Sequence, residues 1–216
     1  MTCIARRISI LTVSSLLLAA CNGNSDAARM GQLVWQAMPW RSGTKVTLAQ
    51  AAAIPYASMG VSLGNGDQGL LVLGAASPTL SEWYAGEEVM IGTRGGRVVK
   101  TIGLPSNLGE MRLDTAPNGS DGHFTMIIDL PDRGVFGAVG NCSIVNMGQE
   151  SITILGTAID TRRMAEHCDV PALNWEFDSE FWKDLATDFI WRSRQNIHPD
   201  LPALTLEVFR PQENGR

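Results

Sequence analysis

Cysteine, histidine and a tryptophan-rich stretch are the side chains of this 216-residue chain with the most chemistry to offer. Cys142 and Cys168 stand in the second half of the chain, with His167 beside the latter. Those three would supply most of a tetrahedral zinc set, but no fourth ligand is spaced to join them, so no metal is expected. His123, His167 and His198 are far apart in sequence and read as surface or capping residues. Gly64-Asn65-Gly66-Asp67-Gln68-Gly69 spells the dinucleotide fingerprint, which works only where it opens a helix whose N-terminus meets the pyrophosphate. Leu70-Leu71-Val72-Leu73 follows and reads as a strand, so the stretch is a hairpin loop and no cofactor is expected. No Gly-x-Ser-x-Gly elbow occurs. The carboxylate pairs Glu87-Glu88 and Asp178 with Glu180 would need placement across a cleft to hydrolyse a glycoside. None of these sets specifies an enzyme.

The segment from Trp175 to Gln195 is the most informative of the rest. Three of the six tryptophans, Trp175, Trp182 and Trp191, fall within seventeen residues, the last followed by Arg192 and Arg194. Aromatic faces beside Arg and Gln suit stacking on sugar rings or anchoring a protein partner. The alternative is that the tryptophans fill the concave side of a sheet while the arginines stay outside.

The N-terminus sets the compartment. Arg6 and Arg7 precede thirteen uncharged residues, Ile8 to Ala20, and two small residues then lead into Cys21. A basic n-region, short apolar h-region and small-residue cleavage site describe a secretory signal peptide. Thirteen helical residues span about 20 Å, short of a hydrocarbon core of roughly 30 Å. The cysteine after the cleavage site resembles a bacterial lipobox, which implies processing before Cys21 and acylation of its sulfur and freed amine. Two acyl chains already give stable anchoring. Asn22, where enteric-type sorting would use Asp for inner-membrane retention, points to the periplasmic face of the outer membrane.

Without residues 1–20 the chain carries fifteen basic and twenty-two acidic residues, a net charge of −7 with His neutral. Such a body is a poor ligand for nucleic acid and for anionic headgroups, leaving the lipid as the membrane contact. In an oxidising periplasm Cys142 and Cys168 favour a disulfide closing a loop of 26 residues. It would contribute about 3–4 kcal/mol in the chain-entropy model. A plain meander would set the two cysteines two strands apart, roughly 9–10 Å, too far to bond. A bulge would bring them together; the alternative is two buried thiols.

These residues require a β framework. Residues 21–28 are a Gly-, Ser- and Asn-containing tether, and Met30, Leu33, Val34, Ala37 and Met38 recur at helical spacing from Asp26 to Pro39. Beyond it the period is two: Val61–Leu63, Leu70–Val72, Val89–Ile91, Val98–Ile102, Phe124–Ile128, Ile152–Ile154 and Leu204–Val208 are short runs broken by Gly, Pro, Asn and Asp. Gly95-Gly96 offers the positive φ of a primed two-residue turn. Leu48–Ala53 adds at most a turn of helix before Pro55, and Ser179–Asp188 reads as a helical turn or wide loop. The expectation is a mainly β fold: one large curled antiparallel meander sheet or barrel with a short N-terminal helix, in a single domain over 29–211 and a tail at 212–216. No internal repeat is evident.

Two long stretches then resemble one family. Gly64-Asn65-Gly66 with Leu71 to Gly74, and Thr93-Arg94-Gly95-Gly96-Arg97-Val98-Val99-Lys100-Thr101-Ile102-Gly103-Leu104 with Asn107-Leu108, are similar to the YjbF/GfcB lipoproteins. So is the tail: Trp175, Phe181-Trp182, Trp191-Arg192-Ser193-Arg194-Gln195, Pro199, Pro202 and Arg210-Pro211. The resemblance implies exopolysaccharide or group-four capsule production, a curled β meander, and partnership with a second periplasmic protein and a large outer-membrane barrel protein. It supplies no catalytic residues. The resulting expectation is a tethered, non-catalytic accessory that binds the barrel or the nascent polymer. The competing one is a polysaccharide hydrolase or lyase with a β groove.

Overall fold

The computed structural model describes residues 44–114 and 122–212. The leader, Cys21, the tether and the helix expected over 26–38 lie outside them.

Twelve strands form one antiparallel sheet: β1 Ser58–Leu63, β2 Gly69–Ala76, β3 Ser81–Ala85, β4 Val89–Arg94, β5 Arg97–Ile102, β6 Glu110–Leu113, β7 Gly122–Leu130, β8 Val135–Ile154, β9 Thr157–Val170, β10 Trp175–Asp184, β11 Ile190–Gln195 and β12 Leu204–Arg210. Their order, β5-β4-β3-β2-β1-β12-β11-β10-β9-β8-β7-β6, is a meander whose first and last strands pair in the middle. The sheet curls until the outer strands β5 and β6 meet: the Thr101 N–H donates to the Leu108 carbonyl at 2.9 Å, and the Leu108 N–H to Thr101 Oγ1 at 2.9 Å. The result is a nearly closed barrel. Alternation explains the curl, because one face of each strand is apolar: on β7, Phe124, Met126, Ile128 and Leu130 are buried, and Thr125 and Ile127 are not. The lumen is a packed core that also takes in Leu71, Ile91, Phe181 and Leu204.

The Gly95-Gly96 hairpin joins β4 to β5 as expected, with φ of 56° and 79°. Gly64–Gly69 is the β1–β2 hairpin loop, and Leu48–Ala52 forms a short helix α1 capped by Thr47 and Gln50 in a capping box. Ser179–Asp188 is not a helical turn or loop throughout: β10 runs to Asp184, because Ser179 and Phe181 alternate into the core with Phe177. A repeat is also present. Asp129-Leu130-Pro131-Asp132-Arg133-Gly134 and Asp169-Val170-Pro171-Ala172-Leu173-Asn174 each end a strand in a 3-10 turn that closes on a left-handed residue, Gly134 or Asn174. Only the Asp, the apolar residue and the Pro coincide, too little to stand out in the sequence.

The largest departure from a uniform meander is the β8–β9 hairpin. β8 is 20 residues long and β9 is 14, joined at Leu155-Gly156 with φ of 48° and 84°. A shift of register between Asn146 and Gln149 divides the pair into a barrel half and a projecting arm. The arm lies on the outside of the barrel. Ile152 and Ile154 pack with Trp182, Trp191 and Phe209, and Leu155 reaches the cluster of Val46, Ala51, Ile54 and Leu70 around α1. A separate strand at Ile152–Ile154 in a plain meander would set Cys142 and Cys168 two strands apart. Because β8 is continuous, they are cross-strand neighbours with Cα atoms 4.1 Å apart, joined in a disulfide.

Candidate functional site

The two stretches that carry the family resemblance meet inside the barrel. Ser193 and Gln195 of β11 point inward, and Gln195 is buried against the start of β5. Its amide accepts the Val98 N–H at 3.0 Å and donates to the Gly96 carbonyl at 3.0 Å and to Ser193 Oγ at 2.8 Å. Gly96 is required twice over, since its φ is positive and a Cβ there would lie 2.7 Å from Ile190. One residue on, Arg97 crosses the lumen to Glu166 of β9, whose side chain is fully buried. The pair is bidentate, with Arg97 Nη1 2.8 Å from Glu166 Oε1. The guanidinium also lies 4.8 Å from the Phe181 ring centroid and 5.7 Å from that of Phe124. Nothing in the sequence singles out Glu166, because a lone Glu in a strand carries no signal until its partner is known.

The three tryptophans do not share a face. Trp175 stacks on Phe177 at 4.1 Å, and the latter is buried in the lumen core. Trp191 donates from Nε1 to Asp184 Oδ2 at 3.1 Å and meets Phe189 edge-on at 4.9 Å. Trp182 points outward and is covered by the arm, so neither a concave core nor one open sugar platform describes the set. It stands in a row across the outer face, Arg163–Trp182–Arg192–Glu207–Gly60, one residue from each of β9 to β12 and β1. Arg163 and Arg192 lie 5.9 and 5.8 Å from the Trp182 ring centroid. Arg163 is paired with Glu180, Nε to Oε1 at 3.0 Å. Arg192 donates to Glu207 Oε1 at 2.7 Å and to the Thr153 carbonyl of the arm at 2.8 Å. Gln68 donates to Glu207 Oε2 at 2.6 Å and accepts the Val46 N–H at 3.1 Å. A Cβ on Gly60 would lie 2.6 Å from Gln68 and 2.5 Å from Phe209, so glycine makes the room. This row fastens the arm and the N-terminal segment to the barrel. Arg194 is exposed beside Glu180.

Asp184 closes the β10–β11 turn. Its carboxylate takes bonds from Trp191 Nε1, the N–H groups of Ala186 and Thr187 and the Thr187 hydroxyl, which together lower its pKa to about 2. A carboxyl depressed on folding stabilises the fold above its unfolded pKa, near 4, and loses that contribution as pH falls toward the folded value. Asp184→Asn is therefore expected to lower the melting temperature at pH 7, with the gap to wild type narrowing between pH 4 and pH 2. Melts recorded across that range check it; a gap independent of pH would refute it.

The histidines separate into two settings. His198 is buried and takes the Asp200 N–H on Nδ1 at 3.1 Å, which leaves Nε2 to donate to Asp132 at 3.2 Å. Burial pushes the Asp132 carboxyl up, but the bonds from His198 and the Asn107 N–H outweigh it and hold it below its ordinary value. With the Arg133–Asp200 pair at 2.8 Å, this fastens the β11–β12 loop to the β7–β8 turn. His123 and His167 fall on the outside with Ser143 between them, in the cross-strand row His123–Ser143–His167–Asp178. His167 Nδ1 lies 2.9 Å from Asp178 Oδ1, with side chains 55% and 81% exposed. A Ser–His–Asp relay needs its carboxylate buried, so this row is not built as one. Among the described residues no group of three or more His, Cys, Asp or Glu is placed to hold a metal ion.

The family model described as "Group 4 capsule polysaccharide lipoprotein gfcB, YjbF" matches residues 26–209. The chain belongs to the YjbF family. Its YjbF-family relatives include the uncharacterized lipoprotein GfcB of Escherichia coli (strain K12), 25% identical over 210 residues, 94% of this chain and 97% of that one. The uncharacterized lipoprotein YjbF of the same strain is 30% identical over 101 residues, 47% of each chain. The crystal structure of the hypothetical lipoprotein YmcC from Escherichia coli (K12) superposes with a TM-score of 0.64 at 23% identity, over 76% of this chain and 89% of that one. That likeness shows the shared fold.

Proposed function

We propose that this YjbF-family chain is a lipoprotein acylated at Cys21, held on the periplasmic face of the outer membrane, and acting as a non-catalytic accessory in exopolysaccharide or capsule assembly. The observation that carries the reading is the family match over 26–209, whose description names a capsule polysaccharide lipoprotein. The geometry is compatible with it: the lumen is filled, mainly by apolar side chains with the Arg97–Glu166 pair and Gln195 among them, and the family motifs are spent on closing the barrel and fastening the arm. Its partners in this reading are the outer-membrane barrel protein and second periplasmic protein of the same system, with the polymer itself a further contact.

Cys21→Ser removes the acylated sulfur. It is expected to move the protein from the sedimenting outer-membrane fraction to the soluble periplasm and to reduce surface polymer several-fold, as read by fractionation and polymer assay. Wild-type protein sedimenting with the inner membrane would overturn the location. Unchanged polymer in a deletion strain would overturn the role. Shortening of the cell's own polymer by the purified domain would overturn the non-catalytic assignment.

A further inference from the structure

Much of the barrel's outer face is covered, by the arm over β10 to β12 and by the α1 segment over β1 and β2, but among the described residues nothing covers the outward side of β8 from Phe136 to Met147. Val139 and Val145 are each 49% exposed, and Phe136 and Met147 at the two ends are 69% and 58% exposed. A strand whose inward face already supplies Ala138, Cys142 and Ile144 to the core has no folding reason to carry four large apolar groups on the other side. Exposed apolar strand residues are an aggregation hazard that folds normally suppress with charge.

Charge is present on both flanks: on β6 and β7 Asp129 accepts the Gly137 N–H and Glu110 and Arg112 lie close together, whereas the β9–β10 flank is acidic. Asp169, Glu176 and Asp178 lie outward on β9 and β10, since the residues alternating with them, Cys168, Val170 and Phe177, are buried. Glu176 sits directly opposite Asp169 in the ladder, and among the described residues neither carboxylate has a hydrogen-bond or ion-pair partner. Like charges facing each other across strands are destabilising, and among the described residues no cation is paired with either. Between Val139 and Val145 on β8 lie the hydrogen-bonding side chains Asn141 and Ser143, with His167 beside them on β9, along a groove of about 430 Å³.

We infer that the outer face of β7 to β10, centred on Val139 and Val145, is the docking surface for a protein partner that presents apolar side chains flanked by Lys or Arg. The apolar residues supply desolvation, and Asp169 and Glu176 supply the complement to the partner's cations and set its orientation. A second copy of this chain fits poorly, because two bodies of net charge −7 repel on approach. A polysaccharide fits poorly as well, since a neutral or acidic glycan carries no cation to answer Asp169 and Glu176. The inference deepens the accessory reading by naming where the partner sits, and it does not depend on which polymer is made.

The test places a photo-crosslinking phenylalanine analogue at Val139 or Val145, with Lys100 on β5 as the control position, in the full-length acylated protein within its native envelope. Irradiation is expected to give one discrete protein adduct from 139 and 145 and none from 100. The crosslinked peptide, sequenced by mass spectrometry, should contain apolar residues next to Lys or Arg. The double substitution Asp169→Lys and Glu176→Lys should cut the adduct at least tenfold while leaving the circular dichroism spectrum unchanged. An adduct to a second copy of this chain, an adduct to glycan, a yield insensitive to the charge reversal, or no adduct at all would each overturn the surface. If the adduct fails while polymer output still depends on the protein, only this surface falls. If output is independent of the protein, the accessory reading falls whatever the adduct shows.

Discussion

Arg97→Met is expected to destabilise the barrel by about 3–5 kcal/mol, the cost of leaving one member of a buried ion pair uncompensated. The reason lies in where Glu166 sits. Its side chain is fully buried in the lumen, and Arg97 is the cation that meets it, gripped as well by the rings of Phe124 and Phe181. Glu166→Gln should cost less, because an amide needs less solvation than a carboxylate, yet it still leaves the guanidinium without its charge partner. The double variant Arg97→Met with Glu166→Met should recover most of the loss, since apolar groups of similar volume replace a buried pair at little or no cost. Urea denaturation of these proteins, with Glu166→Met added as the second single variant, completes the cycle. A single-variant loss below about 1 kcal/mol would mean that the pair is hydrated and contributes as a surface bridge does. The expected site of damage is the closure of the sheet: Arg97 and Gln195 hold the start of β5 against β9 and β11, and Thr101 joins β5 to Asn107 and Leu108 on the β6 side.

That cross-lumen contact shows how far the sequence could be read. Period-two runs, the Gly95-Gly96 turn and evenly spaced breakers are local signals, and they specify a meandering sheet without any long-range information. The Pro and Gly positions place its turns for the same reason. What is not local was not legible. Arg97 and Glu166 are 69 positions apart, and Val98 and Gln195 are 97 apart, so no periodicity links them. The arm was lost for a different reason. Met147-Gly148-Gln149-Glu150 breaks the alternation as a loop would, whereas the structure uses it as a bulge within one strand, so Ile152–Ile154 was read as a strand of its own. The tryptophans are a separate case: with Ser179–Asp188 as a helical turn or loop, nothing assigns Trp175 and Trp182 to different faces, and alternation separates them only once β10 is known to be a strand through both. Glycine at position 60 was similarly mute, because its role is to make room for Gln68, which lies across the β1–β2 loop.

Replacing Cys142 and Cys168 together by alanine is expected to lower stability by about 3 kcal/mol, from the unfolded-state entropy released when a 26-residue loop opens. The positions of the pair argue against a much larger number. Both side chains sit in the lumen core, at 3% and 0% exposure, and the strands that carry them are held together by ladder hydrogen bonds along β8 and β9. The native state therefore keeps its register without the bond, and the loss falls on the unfolded chain, with a small addition for the space of two removed sulfur atoms. The neighbourhood supplies a second expectation. Cys168 Sγ lies 3.7 Å from Glu166 Oε1, so widening the space under the disulfide loosens the wall against which the Arg97–Glu166 pair is packed. The disulfide and ion-pair substitutions should then be non-additive by 0.5 kcal/mol or more, as contacting sites are. Reductant gives the control: it should lower the urea midpoint of the wild type toward that of the double alanine variant and leave the variant's midpoint where it was. A wild-type midpoint indifferent to reductant, with the same slope, would show that the two sulfurs are not bonded in solution, and the stabilisation assigned to the bridge would then belong to apolar packing of two thiols.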